Sequence, residues 1–143
     1  MKFSKNIKRF LSCSIGLLNF YSPISYAEQW EQWVKVFDNE IATYYIDSKF
    51  IIEEDDFLWY TTLVNHKELT PFGYFSIILM KKGKCDNSSV MWVKSELYDE
   101  LYDINTGPKG FPTFRKIRNP EWVYPDYGSP WDMALKEVCR KKK

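Results

Sequence analysis

The chain has 143 residues, a length that suits one domain rather than several. It carries 20 lysines and arginines against 19 aspartates and glutamates, and this near balance gives no general argument for nucleic-acid binding. Phenylalanine, tryptophan and tyrosine make up 18% of the chain, and we expect most of them to fill a small core.

The N-terminal segment predicts a secretory signal peptide. A basic start, "MKFSKNIKRF", is followed by a mostly apolar run, "LSCSIGLLNF", and then by the small residues Ser25 and Ala27. This order is typical of cleavage between Ala27 and Glu28. The apolar run of about a dozen residues is shorter than the roughly 18–20 that a membrane span requires, so no stable membrane insertion is expected after cleavage. Cys13 lacks the sequence context of a lipidated cysteine.

Removal of residues 1–27 leaves one predicted domain over residues 28–143. We expect this exported chain to be periplasmic, secreted or at the cell surface. It has 16 basic and 19 acidic residues and a net charge of −3. Two cysteines remain, Cys85 and Cys139, and an oxidising compartment favours a disulfide between them. A free reactive thiol and an intermolecular bridge are the alternatives.

The middle of the chain predicts a meander of about five to six antiparallel strands, because aromatic and β-branched segments alternate with short turn signals. The predicted strands are residues 33–37, 43–47, 57–64, 73–80 and 89–97. Acidic residues 53–56 and polar residues 82–89 read as turns. The repeat "ELYDELYD" at 96–103 has helical as well as strand spacing, and we favour a strand that runs into a turn at 105–110.

The C-terminal stretch "SPWDMALKEVCRKKK" predicts a short amphipathic helix. Ser129 suits the N-cap and Pro130 the first helical position. The apolar stripe that follows consists of Trp131, Ala134, Leu135, Val138 and Cys139. Asp132, Lys136 and Glu137 are expected to face away from it. A helix of about ten residues is marginal alone, so we expect it to dock on the sheet. The predicted fold class is α+β, a small antiparallel sheet with a C-terminal helix packed on one face and held by a disulfide.

No residue pattern predicts catalysis or a cofactor. His66 is the only histidine, and no cluster of cysteines or aspartates beside it suggests a metal site. The chain has neither a nucleophile elbow nor a glycine-rich phosphate loop, and oxidised cysteines cannot act as nucleophiles. We therefore predict a non-enzymatic chain without catalytic residues, metal or cofactor.

Basic clusters and loop aromatics instead indicate a protein-binding face. The predicted surface residues are Lys81, Lys82, Lys84, Arg115, Lys116, Arg118, Phe111, Tyr124 and Tyr127.

A set of landmarks runs in order over residues 30–139. They are "WVKV", "TYYID", Trp59, Ser76 in a strand, Cys85, "LYD", a glycine-containing turn, "EWVYP", "YGS" and a helix ending in "VC". This ordered set resembles the surface-adhesin protein E-like family. The resemblance implies a disulfide-held sheet and helix, in a secreted or surface protein of a Gram-negative bacterium.

The same resemblance implies host protein partners such as vitronectin, laminin or plasminogen. It also raises homodimerisation as a hypothesis. The lack of a lipidation signal motivates an alternative hypothesis. In that alternative, the chain is a periplasmic accessory or inhibitor protein that acts on a bacterial partner.

Overall fold

The computed structural model describes residues 32–142, so the predicted signal peptide and its cleavage site at Ala27 and Glu28 lie outside it. The strands are β1 (Trp33–Asp38), β2 (Ala42–Glu54), β3 (Phe57–His66), β4 (Ser76–Lys84), β5 (Ser89–Tyr98) and β6 (Thr113–Lys116), and the helix α1 is Pro130–Lys141. The six strands form one sheet in chain order, and each neighbouring pair is antiparallel. The predicted fold class, an antiparallel meander with a C-terminal helix, is confirmed.

Strand β2 is longer than the predicted 43–47. Its pairing with β3 is interrupted between Ile46 and Ile51 and then resumes as far as Glu54. Within the interruption, the Asp47 carboxylate accepts a hydrogen bond from the backbone N–H of Lys49 at 2.9 Å. A side chain thus bonds a backbone donor inside the irregular segment, and the strand continues past it.

The C-terminal ends of β4 and β5 also bear on the predictions. Strand β4 continues to Lys84, so the turn predicted at 82–89 is confined to residues 85–88. Strand β5 ends at Tyr98 and no helix forms at 96–103, so the strand interpretation of "ELYDELYD" is correct. A bridge between Asp103 and Gly107 closes the turn that follows.

Helix α1 packs on one face of the sheet. The main core cluster joins the two and consists of Ile46, Leu58, Tyr60, Val90, Ala134, Leu135 and Val138. The helix lies close to the sheet at Gly83, where a Cβ atom would lie 2.5 Å from Leu135 Cδ1 and 2.9 Å from Tyr60 Cε1. Glycine at this position therefore permits the helix to dock.

A disulfide joins Cys85, in the turn after β4, to Cys139 in the last turns of α1, as predicted. Their Cα atoms are 5.8 Å apart. Because Cys139 follows the buried Val138, the covalent link and the apolar contacts hold the same end of the helix.

The start of α1 is capped as the sequence indicates, with one correction. The Ser129 side chain accepts a hydrogen bond from the Asp132 N–H at 3.3 Å. The Asp132 carboxylate does not face solvent, because its Oδ2 accepts from Gly128 N–H at 2.8 Å and from Lys136 Nζ at 2.6 Å. Asp132 is 4% exposed. In this inward orientation, the carboxylate links the chain segment before the helix, at Gly128, to Lys136 within the helix.

The opposite face of the sheet has a second, smaller core of Trp33, Leu63, Tyr98 and Tyr102. Ser76 anchors the connection between β5 and β6 to it. Its hydroxyl donates to Asn65 Oδ1 at 2.7 Å and accepts from the Tyr102 N–H at 2.9 Å. The start of the β5–β6 connection, which carries Phe111, is therefore fixed to the sheet at Tyr102.

Candidate functional site

Large apolar side chains are exposed where β6 meets two long connections. Phe111, in the β5–β6 connection, is 95% exposed, and Phe72, in the β3–β4 connection, is 84% exposed. Both line one shallow cavity of about 150 Å³. We call the lining residues Phe72, Leu97, Phe111, Thr113 and Arg115 the β6 patch. Two strongly exposed phenylalanine rings thus lie on one cavity, among polar lining residues, which makes this cavity a candidate interaction surface.

The local sequence holds Phe72 outward. It lies in a tight turn in which the Gly73 N–H donates to the Thr70 carbonyl at 2.9 Å. Gly73 has a φ of 85°, a conformation that favours glycine. The Tyr74 N–H donates to Thr70 Oγ1 at 3.2 Å and closes the turn from the other side. The phenylalanine is therefore presented from the apex of an ordered turn.

Strand β6 is an edge strand. It pairs with residues 94–97 of β5, and no strand lies beyond it in the part of the chain that the structure describes. All four of its residues are exposed, including Phe114. An edge of this kind offers unpaired backbone donors and acceptors to a partner.

Several exposed basic side chains lie on and beside the β6 patch. Four basic side chains on or near β6 are exposed, namely Lys109, Arg115, Lys116 and Arg118. Asp99 is the only carboxylate among the residues that line the cavity. The surface combines apolar rings with guanidinium and ammonium groups, which suits a partner that presents apolar and acidic side chains.

Two predicted surface lysines are already engaged with aromatic rings elsewhere. Lys82 Nζ lies 4.7 Å from the ring centroids of both Phe57 and Trp59. Lys84 Nζ lies 4.7 Å from the centroid of Trp122. These cation–π contacts hold the lysines against the sheet, and neither lysine lines the cavity of the β6 patch.

Tyr124 and Tyr127, two further predicted residues, are exposed in the segment that leads into α1. Lys136 Nζ lies 3.9 Å from the ring centroid of Tyr127. Neither tyrosine lines the β6 cavity. They form a separate exposed site beside the start of the helix.

Lys81 does not belong to any surface, and its assignment there was wrong. It is 0% exposed and lies between the sheet and α1. Its Nζ is 3.5 Å from the ring centroid of Trp131, with Tyr60 at 5.9 Å and Trp92 at 5.7 Å. Within the described part of the chain, the amine has no hydrogen-bond partner. Burial lowers its pKa well below the ordinary lysine value.

The structure therefore divides the nine predicted residues among several places. Phe111, Arg115, Lys116 and Arg118 lie in or near β6, while the others lie elsewhere or in the core. Sequence reasoning missed Phe72 and Phe114. The signal for Phe72 was its position between Pro71 and Gly73, a pair that marks the apex of a turn.

The residues that the structure describes contain no group of three or more His, Cys, Asp or Glu side chains placed to hold a metal ion. His66 stacks edge-on against Tyr74 at 5.7 Å, and burial lowers its pKa. In the same part of the chain, no helix has the length and apolar character needed to cross a membrane.

The fold and the surface together define a small disulfide-tied scaffold, a single sheet with one docked helix that presents aromatic side chains from its connections. The family profile described as Surface-adhesin protein E matches residues 33–140, and the chain belongs to that family. This is a family of surface adhesins and not an enzyme family.

Solved structures of Haemophilus influenzae protein E share the fold. The chain is similar to the crystal form II structure with a TM-score of 0.56 and 19% identity, over 76% of this chain and 87% of that chain. The selenomethionine form gives a TM-score of 0.57 and 19% identity, over 76% of this chain and 86% of that chain. Comparison with curated protein sequences gave no match.

Proposed function

We propose that this chain is an exported, non-enzymatic protein-binding domain of adhesin type, and that the β6 patch is its contact surface. The observation that carries the proposal is the exposure of Phe111 and Phe72 on one cavity next to an open sheet edge. Aromatic side chains and arginine dominate the binding energy of protein interfaces. A partner that covers these rings removes apolar surface from water at little entropic cost, because the Phe72 turn is already ordered.

The expected partner surface is apolar at its centre and acidic at its rim. Arg115, beside the rings, is suited to bidentate hydrogen bonds with a carboxylate. Lys116 and Arg118 lie further from the cavity, so we expect them to act mainly on the association rate and its salt dependence. Vitronectin, laminin and plasminogen are the candidate host partners that family membership suggests.

Surface plasmon resonance of residues 28–143, with the disulfide intact, tests host binding. Saturable binding to at least one of the three host proteins at physiological salt supports an adhesin role. Absence of saturable binding to all three opposes host adhesion and favours the alternative, an accessory or inhibitor protein with a bacterial partner.

Localisation separates the same two functions independently. Cells that express the full chain are fractionated, and intact cells are labelled with an antibody against the folded domain. Labelling of intact cells supports host adhesion. Confinement to the periplasm supports the accessory role. Size-exclusion chromatography with light scattering tests whether the domain forms a homodimer.

A further inference from the structure

Lys81 carries a fully buried amine that has no counter-ion among residues 32–142. Within those residues its N–H donors have no acceptor, and the rings of Tyr60, Trp92 and Trp131 surround it. Aromatic faces attract an ammonium ion, but they do not replace the hydrogen bonds that water provides. The charged form of this side chain is therefore disfavoured while α1 is docked.

The first turn of α1 and the rest of the helix are held differently. From Ala134 onward, the helix is fixed by the buried side chains of Ala134, Leu135 and Val138 and by the Cys85–Cys139 disulfide. The first turn, residues 130–133, contacts the sheet through Trp131. That ring covers Lys81 and also packs on aromatic side chains of β2 and β5. A movement that lifts Trp131 can therefore open the first turn while the rest of the helix stays docked.

We propose that the first turn of α1, residues 130–133, is a proton-operated lid, in which protonation of the Lys81 amine releases Trp131 from the sheet while the buried side chains of Ala134, Leu135 and Val138 and the Cys85–Cys139 disulfide retain the rest of the helix. Release exposes a surface of aromatic rings, contributed by Tyr44, Tyr60, Trp92 and Trp131. This inference is independent of the proposed function, since it requires no partner.

Few titratable groups face the amine. Tyr60 on β3 is the one titratable side chain among its three ring neighbours, and burial raises the pKa of Tyr60, so it stays neutral. Tyr44 on β2 packs on Trp131, and burial raises its pKa too. On α1, Asp132 is paired with Lys136. Lys81 has no ion pair with any carboxylate among residues 32–142.

The direction of the pH effect follows from these surroundings. In the released state the amine is hydrated, and its pKa returns toward the ordinary value of 10.5, whereas in the docked state its pKa is well below that value. Between the two pKa values, release takes up one proton. The equilibrium constant for release therefore rises about tenfold for each unit by which the pH falls, until the docked amine also becomes charged.

Amide hydrogen exchange of the disulfide-intact domain, followed from about pH 9 downward and corrected for the intrinsic exchange rate, measures this equilibrium residue by residue. We expect opening at Asp132 and Met133, whose N–H groups bond to Ser129, to increase about tenfold per pH unit as the pH falls, until the docked amine also becomes charged. Residues 138–140 should keep their protection. Lys81→Met, which retains length and removes the titrating group, should abolish the pH dependence.

Lys82→Met is the matched control, because it removes the neighbouring lysine, which stacks on Phe57 and Trp59 instead. It should keep the wild-type pH dependence. An identical dependence in wild type and Lys81→Met would overturn the proposal, as would a wild-type helix whose opening does not change with pH.

A second measurement on the wild type does not rely on the variant folding. Nuclear magnetic resonance of ¹³Cε-labelled lysine should show one resonance, that of Lys81, which titrates well below the ordinary lysine value of 10.5 and moves together with the amide exchange. A Lys81 side chain that stays charged over the whole pH range with the helix docked would refute the lid.

Discussion

Cys85 and Cys139 are bonded across a sequence separation of 54 residues and link the β4–β5 turn to the last turns of α1. The stripe of Ala134, Leu135 and Val138 packs on the sheet beside this bond. A helix of this length is marginally stable in isolation. Its order therefore depends on docking, to which the disulfide and the apolar stripe both contribute.

Cys139→Ala should lower the free energy of unfolding by about 2–5 kcal/mol, because the unfolded chain regains the freedom that the closed loop removed. The strands should still form at low temperature, since most of their apolar contacts do not involve the helix. Thermal unfolding followed by circular dichroism measures the change.

Cys85→Ala and the double alanine variant serve as controls for the disulfide. Both should lose about as much stability as Cys139→Ala, because each removes the same bond. An unchanged unfolding midpoint in all three variants would mean that packing alone holds the helix.

Gly83→Ala should destabilise the domain by about 1–3 kcal/mol, since the new methyl group meets Leu135 and Tyr60 below normal contact distance. Denaturant unfolding at pH 7 measures the loss. In a Leu135→Ala background, the same substitution should cost less, because the contact with Leu135 is gone and only that with Tyr60 remains. Equal costs in the two backgrounds would show that Leu135 does not meet the added methyl group.

Asp132→Asn should lower the free energy of unfolding by about 1 kcal/mol at pH 7. The carboxylate accepts a hydrogen bond at the start of the helix, and its negative charge interacts favourably with the positive N-terminal end of the helix dipole. The hydrogen bond from Lys136, followed by that from the Gly128 N–H, lowers the pKa of Asp132. The stabilisation is therefore present above the ordinary value of 3.8 and is lost as the pH falls through the lowered pKa.

Urea unfolding at pH 7 and at about pH 2–3 tests this dependence. The difference between wild type and Asp132→Asn should shrink at acidic pH. Lys136→Met is the companion variant. It removes the main cause that lowers the pKa of Asp132, so the stabilisation by the Asp132 carboxylate should be lost at a higher pH than in wild type. A difference between wild type and Asp132→Asn that stays constant with pH contradicts the role of the charge.

The elements that could be predicted are those with local causes. Alternation along β3 separates the side chains that face α1 from those that do not, and Ser129 and Pro130 mark the helix start. The extension of β2 to Glu54 could not be predicted, because it depends on pairing with β3 beyond an irregular segment. The inward orientation of Asp132 depends on Gly128 and Lys136 together.

The candidate site was harder to predict for two physical reasons. Lys81 and Lys82 are adjacent and chemically identical, but successive strand residues point to opposite faces, and only the docking of α1 decides which lysine is buried. Phe111 was recognised as a loop aromatic. Phe72 joins it from another connection, and a juxtaposition of that kind is set by the sheet and not by local sequence.

Affinity measurements on β6 patch variants test the central claim most directly. The double substitution Phe72→Ser and Phe111→Ser is compared by surface plasmon resonance with wild type and with Ile41→Ser. Ile41 is 67% exposed in the β1–β2 turn, outside the patch, and so controls for the loss of an exposed apolar group. The ligand is whichever of vitronectin, laminin and plasminogen binds the wild-type domain.

The double variant should bind at least about tenfold more weakly, a loss of about 1.4 kcal/mol. Ile41→Ser should bind like wild type, and all three proteins should unfold at similar temperatures. Equal affinity of the double variant and wild type would contradict the assignment of the β6 patch as the contact surface, and absence of saturable wild-type binding to all three host proteins would contradict host adhesion.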